Sequence, residues 1–231
     1  GGRGIWRHKS LTDEVSQDGN GITVGVLHTG VHYADDIDDT GGLYHYPVTK
    51  NAGTDQCDIE ATKNCQRFGM PLFVVSRPTP SSKVRNVALG WVTGWDDSQK
   101  LFLLEYSEKT LHAASQDESE PFVAISKKRR KATPVNVRSG QSKFRFQLVK
   151  RYGMECAVSG VNVPEMLIAA HIIPDAIGGS MDPRNGLILS ANLHNAFDAG
   201  LWAIHPKTLE VVTKPNGPAR SRLGIKVESL R

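Results

Sequence analysis

Residues 171–198 constrain the possible fold of this chain more than any other segment. They run HIIPDAIGGSMDPRNGLILSANLHNAFD. An apolar stretch over residues 166–172 precedes a loop rich in Gly, Pro and Asp. A second apolar stretch follows at 187–189, and an amphipathic segment at 191–199. This order predicts two strands joined by a long loop and followed directly by a helix.

Four polar side chains of this segment form a candidate catalytic set: His171, Asn185, His194 and Asp198. His194 and Asp198 stand one helical turn apart, so they share a helix face and can converge on one cation. His171 ends the first strand, and the Asn185 amide can bridge the loop and orient it. Each residue alone also fits a structural role, as a hydrogen-bonded histidine, a turn asparagine or a surface pair.

The ordered set matches the needs of phosphodiester hydrolysis. That reaction requires an activated water and stabilisation of charge at the phosphate and the leaving oxygen. A neutral histidine can act as general base for the water, and a metal ion can stabilise the charge. The pattern therefore indicates a metal-dependent nuclease.

Residues 152–198 resemble the HNH endonucleases, which belong to the ββα-metal nuclease class. The similarity rests on the motifs CAVSG at 156–160, AHIIP at 170–174, NGLIL at 185–189 and LHNAFD at 193–198. The resemblance implies that His171 is the general base and Asn185 the loop-orienting residue of the catalytic pair. It also implies that His194 and Asp198 are the metal ligands.

The sequence departs from this family at two places that concern metals. Ala170 stands where many relatives have another ligand, so the ion would depend on His194, Asp198, water and DNA phosphate. Only Cys156 corresponds to the four-cysteine zinc site of other relatives, so we expect no structural zinc and place Cys156 in the core. Mg²⁺ is the expected ion, and the histidine ligand also suits Mn²⁺, Ni²⁺ or Zn²⁺.

A basic segment precedes the nuclease-like region. No Asp or Glu occurs between Pro121 and Met154. We interpret residues 111–138 as a basic linker, although a solvated linker and helix face would have the same composition. The side chains expected to contact the DNA backbone are Lys127, Lys128, Arg129, Arg130, Lys131 and Arg145.

The two flanking regions differ in predicted structure. Residues 1–110 have short β patterns between turn residues, with strands expected over 22–27, 72–76, 87–93 and 101–105 and a helix over 58–67. In residues 139–231 we expect a helix over 141–152 and a closing hairpin from 201–204 and 209–212. Ser190 is the expected N-cap of the catalytic helix, and Gly200 its C-terminal stop.

An acidic and aromatic segment, residues 29–46, is the notable feature of the first region. It contains Asp35, Asp36, Asp38 and Asp39. A carboxylate can accept a hydrogen bond from the exocyclic amine of cytosine, and aromatic rings can enclose a base turned out of the duplex. An acidic surface loop or a cation site is the alternative interpretation.

A motif-like series follows the order Gly30, Tyr33, Asp35, Asp36, Asp38 and Gly41 or Gly42, and the strand-like segments MPLFVVSRP at 70–78 and 87–106 come after it. On these features residues 2–106 are similar to the SRA domain, a PUA-like β fold that binds modified cytosine in DNA. The resemblance implies that Tyr33 and Tyr46 stack on the flipped base and that Asp36 accepts from its amine. Tyr44 or His45 can take the place of Tyr46, because an insertion shifts the alignment there. Asp35 can likewise replace Asp36.

Together these features predict an α+β chain with an SRA/PUA-like curved β-barrel domain and a ββα-metal HNH domain. The predicted function is modification-dependent restriction, with double-stranded DNA containing 5-methylcytosine or 5-hydroxymethylcytosine as the partner. A nuclease whose first domain binds DNA without modification specificity, and a non-catalytic reader, are the alternatives. One HNH site cuts one strand, so a double-strand break suggests a homodimer, which we expect, or two independent nicks.

The remaining expectations concern location. The three cysteines are scattered and suggest no disulfide framework, so we expect a reducing cytoplasm. No apolar run is long enough for a membrane span, and we expect no signal peptide.

Overall fold

The structure is a computed structural model that describes residues 4–28, 36–38, 41–77, 81–107, 121–125 and 139–230. Its strands and α-helices are, in chain order, β1 Ile5–Arg7, α1 Lys9–Thr12, β2 Thr23–His28, β3 Asp36–Asp38, β4 Gly41–His45, α2 Ala52–Arg67, β5 Leu72–Ser76, β6 Asn86–Asp96, β7 Leu101–Tyr106, α3 Ser139–Tyr152, β8 Leu167–His171, β9 Gly186–Ser190, α4 Ala191–Asp198, β10 Trp202–Ile204, β11 Val211–Thr213 and α5 Arg220–Leu223.

The described residues form a mixed α+β protein of two compact units. The N-terminal unit contains the residues up to 107 together with 139–143. The C-terminal unit contains 121–125 and 144–230. Part of the predicted linker, residues 121–125, therefore belongs to the C-terminal unit. Among the described residues, no helix has the length and apolar character that crossing a membrane demands.

The N-terminal unit is built on a seven-stranded, curled half-barrel sheet with the order β1-β2-β5-β6-β7-β4-β3. All neighbouring pairs are antiparallel except β2 and β5, which are parallel. A parallel pair needs a long crossover, and here the crossover contains β3, β4 and α2. Helix α2 packs against β1, β2 and β6 and covers the apolar core.

The four strand predictions for this unit are confirmed, three of them with different ends. Strand β5 has the predicted bounds, whereas β6 continues past residue 93 to Asp96. The pairing of β6 with β7 shifts register between Val92 and Gly94, as at a β-bulge, and β6 continues beyond this point. The sequence prediction did not include the short strands β1, β3 and β4.

Helix α2 begins well before the predicted start at residue 58. The Asn51 side chain accepts a hydrogen bond from the Thr54 backbone amide at 3.2 Å and caps the helix. In the first turn the buried Asp55 carboxylate accepts from the Thr49 amide at 2.6 Å and from its hydroxyl at 2.7 Å. These capping contacts extend the helix to Ala52.

The C-terminal unit contains the predicted order of strand, loop, strand and helix. Strands β8 and β9 form an antiparallel hairpin in which His171 stands opposite Gly186. Helix α4 follows β9 without an intervening loop and packs against β8, β9 and β10. The expected closing hairpin is also present, as β10 paired with β11.

The ends of α4 follow the prediction in part. Gly200 has a φ of +64°, a left-handed conformation that glycine adopts without strain, so the predicted stop is confirmed. Ser190 occupies the N-cap position, as predicted, but its side chain makes no capping hydrogen bond. The Ser190 hydroxyl is buried and instead accepts from the Cys156 thiol at 3.8 Å. Cys156 is 2% exposed, which confirms it as a core residue.

Candidate functional site

The Asn185 side chain ties together the loop between β8 and β9. Asn185 is 1% exposed at the end of a short 3-10 helix, Pro183–Asn185. Its Oδ1 accepts from the Ile173 amide at 2.9 Å, and its Nδ2 donates to the carbonyls of Ile173 at 3.0 Å and Ser180 at 2.9 Å. The predicted bridging of the loop is therefore confirmed. Since all three bonds go to backbone atoms of the loop, the Asn185 side chain fixes the position of that loop.

His171 lies at the end of β8, where the Asn185 contacts begin. The Ile172 amide next to it donates to the Asn185 carbonyl at 2.8 Å. The His171 ring stacks on the Phe144 ring of α3, with centroids 4.1 Å apart and planes 8° apart. The histidine is half-buried, so one part of its ring faces packed protein while the residue keeps access to solvent.

His194 and Asp198 converge on the exposed side of α4. His194 Nε2 and Asp198 Oδ2 are 3.4 Å apart, and the side chains are 25% and 56% exposed. An imidazole nitrogen and a carboxylate oxygen at this separation fit a divalent metal, whose other ligands would be water and phosphate oxygens. No group of three or more His, Cys, Asp or Glu suited to a metal occurs among the described residues.

The loop carries a second set of contacts that the sequence did not predict. Asp182 accepts from Arg184 through its backbone amide at 2.8 Å, its Nε at 2.9 Å and its Nη2 at 2.6 Å. The hydrogen bond from Arg184 lowers the Asp182 pKa, against the opposing effect of burial. An Asp before Pro at a helix start is the sequence signal that could have identified this cap.

Residues 121–125 pack against the same loop. The Ser180 amide donates to the Ala124 carbonyl at 3.0 Å, and Ile125 forms an antiparallel bridge with Gly179. The Arg184 guanidinium lies 5.1 Å from the centroid of the Phe122 ring. Residues 121–125 therefore add further contacts to the loop that the Asn185 side chain bridges.

The predicted DNA-backbone residues are placed only in part. Arg145 donates from Nη1 to the Leu167 carbonyl at 3.0 Å, so one N–H group of its guanidinium is bound to the start of β8. Lys127, Lys128, Arg129, Arg130 and Lys131 lie outside the described residues. Contact of these side chains with DNA stays a prediction.

The candidate base-binding residues of the N-terminal unit are also placed in part. Tyr33 lies outside the described residues, and Asp36 is described only as the first residue of β3, whose partner in β4 is Leu43. Tyr44 and Tyr46 are 3% and 5% exposed and belong to the core, whereas His45 between them is partly exposed.

Tyr46 has specific partners within that core. Its ring packs on Phe102 with centroids 4.4 Å apart, and its hydroxyl donates to Asp97 Oδ1 at 3.0 Å. Burial, together with the nearby Asp97 carboxylate, raises the Tyr46 pKa far above its usual range. A base can stack on this ring only if the packing around it opens.

Comparison with known proteins identifies the C-terminal unit. Residues 156–205 match the family profile described as HNH endonuclease. The matched range contains β8, β9, α4 and all four candidate catalytic residues. This chain carries an HNH endonuclease domain.

The HNH domain makes the chain a hydrolase that cuts DNA with a divalent metal. No curated protein matches the sequence significantly. The solved structure described as "Modification dependent TagI restriction endonuclease" aligns with 99% of this chain and 78% of its own, at 19% identity and a TM-score of 0.35. A TM-score of this size carries no inference about this chain.

Proposed function

We propose that this chain is a modification-dependent restriction endonuclease. Its N-terminal unit recognises cytosine carrying a 5-methyl or 5-hydroxymethyl group, and its HNH domain hydrolyses the DNA backbone nearby. The observation that carries the catalytic half is the hairpin in which Asn185 ties the loop beside His171 while α4 presents His194 and Asp198.

In the proposed reaction His171 removes a proton from the attacking water. Stacking on Phe144 and the tied loop hold its ring in place. His194 and Asp198 hold the metal, which when bound stabilises charge on the phosphate and the leaving 3′ oxygen. The products are a 5′-phosphate and a 3′-hydroxyl. Mg²⁺ is the proposed ion.

Support for base recognition by the N-terminal unit comes from the acidic and aromatic segment, residues 29–46. Asp36 begins β3 beside β4, the strand that carries Tyr44 and His45 and leads to Tyr46. We propose that Asp36 accepts from the cytosine amine and that Tyr33 and Tyr46 stack on the flipped base. His45 is the alternative to Tyr46 with partly exposed surface.

Cleavage of matched plasmids tests this proposal. The full chain is incubated with Mg²⁺ or Mn²⁺ and with plasmids that differ only in carrying cytosine, 5-methylcytosine or 5-hydroxymethylcytosine. We expect cutting of the modified plasmids, and loss of this preference in Asp36→Ala with cutting retained. Equal cutting of all three plasmids would establish the alternative, a nuclease whose first unit merely binds DNA. Absence of cutting with every metal would favour a non-catalytic reader.

The same assay addresses the assembly that we propose. One HNH site cuts one strand, so a double-strand break by a homodimer produces linear plasmid without accumulation of the nicked circle. Independent nicks by monomers produce the nicked circle first, and the linear form later. Nicked circle as the sole early product would contradict the homodimer.

A further inference from the structure

The Phe144 ring forms a platform beneath His171. The planes of the two rings are nearly parallel, 8° apart, and the ring centroids are 4.1 Å apart. Phe144 is 0% exposed and lies on α3, before the residues that match the HNH family. A fully buried ring cannot touch DNA, so any effect of Phe144 on cleavage must pass through the protein.

Gly186 leaves the space that this ring occupies. It stands opposite His171 in the β8–β9 register, and its φ of −146° is open to any residue. A Cβ atom added at this position would collide with Phe144 Cζ and lie 2.9 Å from Leu148 Cδ1. Glycine is therefore required here for the close approach of the ring and not for the backbone conformation.

We propose that Phe144 and Gly186 are positioning residues that together fix the ring plane of His171. The inference rests on the proposed role of His171 as general base. Rotation about the last side-chain bond of histidine is only weakly restricted by the bond itself. A parallel ring on one face restricts that rotation, and a base must point at its water to remove a proton. The Phe144 ring, which can lie against the hairpin because residue 186 is glycine, supplies this restriction.

Phe144→Leu tests the platform, because leucine keeps an apolar side chain but has no ring face. In the full chain, with Mg²⁺ and plasmid DNA carrying 5-methylcytosine, we expect kcat to fall about 10- to 100-fold. The KM for DNA should not change. Phe146→Leu is the matched control, since Phe146 is also buried on α3, at 6% exposure, whereas the ring stacked on His171 is that of Phe144. We expect its kcat to stay within about twofold of wild type once the folded fraction is measured.

Gly186→Ala separates positioning from packing. Alone, it should lower both the melting temperature and kcat, because the new methyl group collides with the Phe144 ring. The double variant Gly186→Ala/Phe144→Leu should regain part of the melting temperature, since leucine can yield to the methyl group. It should not regain kcat, because the platform is gone. Recovery of kcat together with stability would overturn the inference.

His171→Ala, run beside these variants, distinguishes the two possible failures. If it still cuts, the proposed base is wrong. If it is inactive while Phe144→Leu cuts at the rate of Phe146→Leu, the base stands and the platform is wrong. Phe144→Met replaces Phe144→Leu should the leucine variant not fold, with the same expected loss of kcat.

Discussion

The HNH domain and the N-terminal unit are assembled from their strands and helices in different ways. In the HNH domain, β8, its loop, β9 and α4 are consecutive in sequence and adjacent in space. In the N-terminal sheet, two of the neighbouring pairs join strands that are not consecutive in sequence, β5 beside β2 and β7 beside β4. A site built from consecutive elements can be recognised from spacing alone, whereas one built across a sheet depends on pairings that spacing does not encode.

The two units also use buried polar groups differently. The buried Asn185 side-chain amide forms hydrogen bonds with the backbone of the loop beside His171. In the N-terminal unit the buried Lys63 ammonium lies 2.7 Å from Asp97 Oδ1 and 3.0 Å from Glu60 Oε1. Tyr46 donates to the same Asp97 oxygen. We interpret this network as a brace between α2 and the turn after β6, so its loss should affect stability before function.

The largest expected effect is on the general base. His171→Ala should lower the cleavage rate by about 10²- to 10⁴-fold, the usual contribution of a general base. Its melting temperature should stay near that of wild type, since a half-buried ring is removed from the edge of the hairpin. Single-turnover cleavage with saturating metal measures the rate. Cleavage at the wild-type rate would remove His171 from the mechanism.

A smaller loss is expected when the loop is released. Asn185→Ala leaves the Ile173 amide and two backbone carbonyls without their side-chain partner, which should cost about 1–3 kcal/mol of unfolding free energy. Cleavage should fall as well, because the loop no longer holds His171. Urea unfolding and cleavage are compared with Asn162→Ala, a control at an exposed position. Full activity in a destabilised Asn185→Ala protein would contradict the positioning role.

Substitution of the proposed metal ligand Asp198 should change the metal concentration that cleavage requires. Asp198→Asn keeps the shape of the side chain but removes its charge, so the metal concentration for half-maximal cleavage should rise at least about tenfold. Glu165→Gln removes an exposed carboxylate elsewhere in the domain and serves as the control. An unchanged metal requirement in Asp198→Asn would mean that this carboxylate is not a ligand.

The smallest effect belongs to the brace in the N-terminal unit. Tyr46→Phe removes the hydroxyl bond to Asp97, which should cost about 0.5–1 kcal/mol at pH 7, because the carboxylate is mostly exposed to solvent. The hydrogen bond from Lys63 holds the Asp97 pKa below its usual value of 3.8. The stabilisation by the Asp97 carboxylate is thus complete above that value and is lost as the pH falls through the lower, folded-state pKa. Urea unfolding at pH 7 and pH 3 should show the difference between the two proteins shrinking at pH 3.

Particular residues show how far the sequence could predict this structure. The Gly200 stop, the Cys156 core position and the Asn185 bridge follow from local chemistry and are confirmed. The Phe144 platform was not predicted, because stacking on His171 depends on how α3 packs on the hairpin. Ser190 has the right type for a cap, but packing beside Cys156 takes its hydroxyl inward.

The candidate base-binding residues of the N-terminal unit show what the sequence could not predict. Tyr46 lies in an aromatic segment that suggests base stacking, yet its ring is in the core and its hydroxyl is bound to Asp97. Neither Asp97 nor Lys63 is near Tyr46 in sequence, so no local pattern could indicate their contact. The role of Tyr46 in binding a base stays a prediction.

The central claim is that the N-terminal unit chooses the DNA and the HNH domain cuts it. Competition binding by the full-length His171→Ala protein tests this claim most directly, because it separates the choice of DNA from cleavage. Two duplexes of the same sequence, one with 5-methylcytosine and one with cytosine, compete for the protein. The account predicts preferential binding of the modified duplex, lost when Asp36→Ala is added. Equal binding of both duplexes would contradict it.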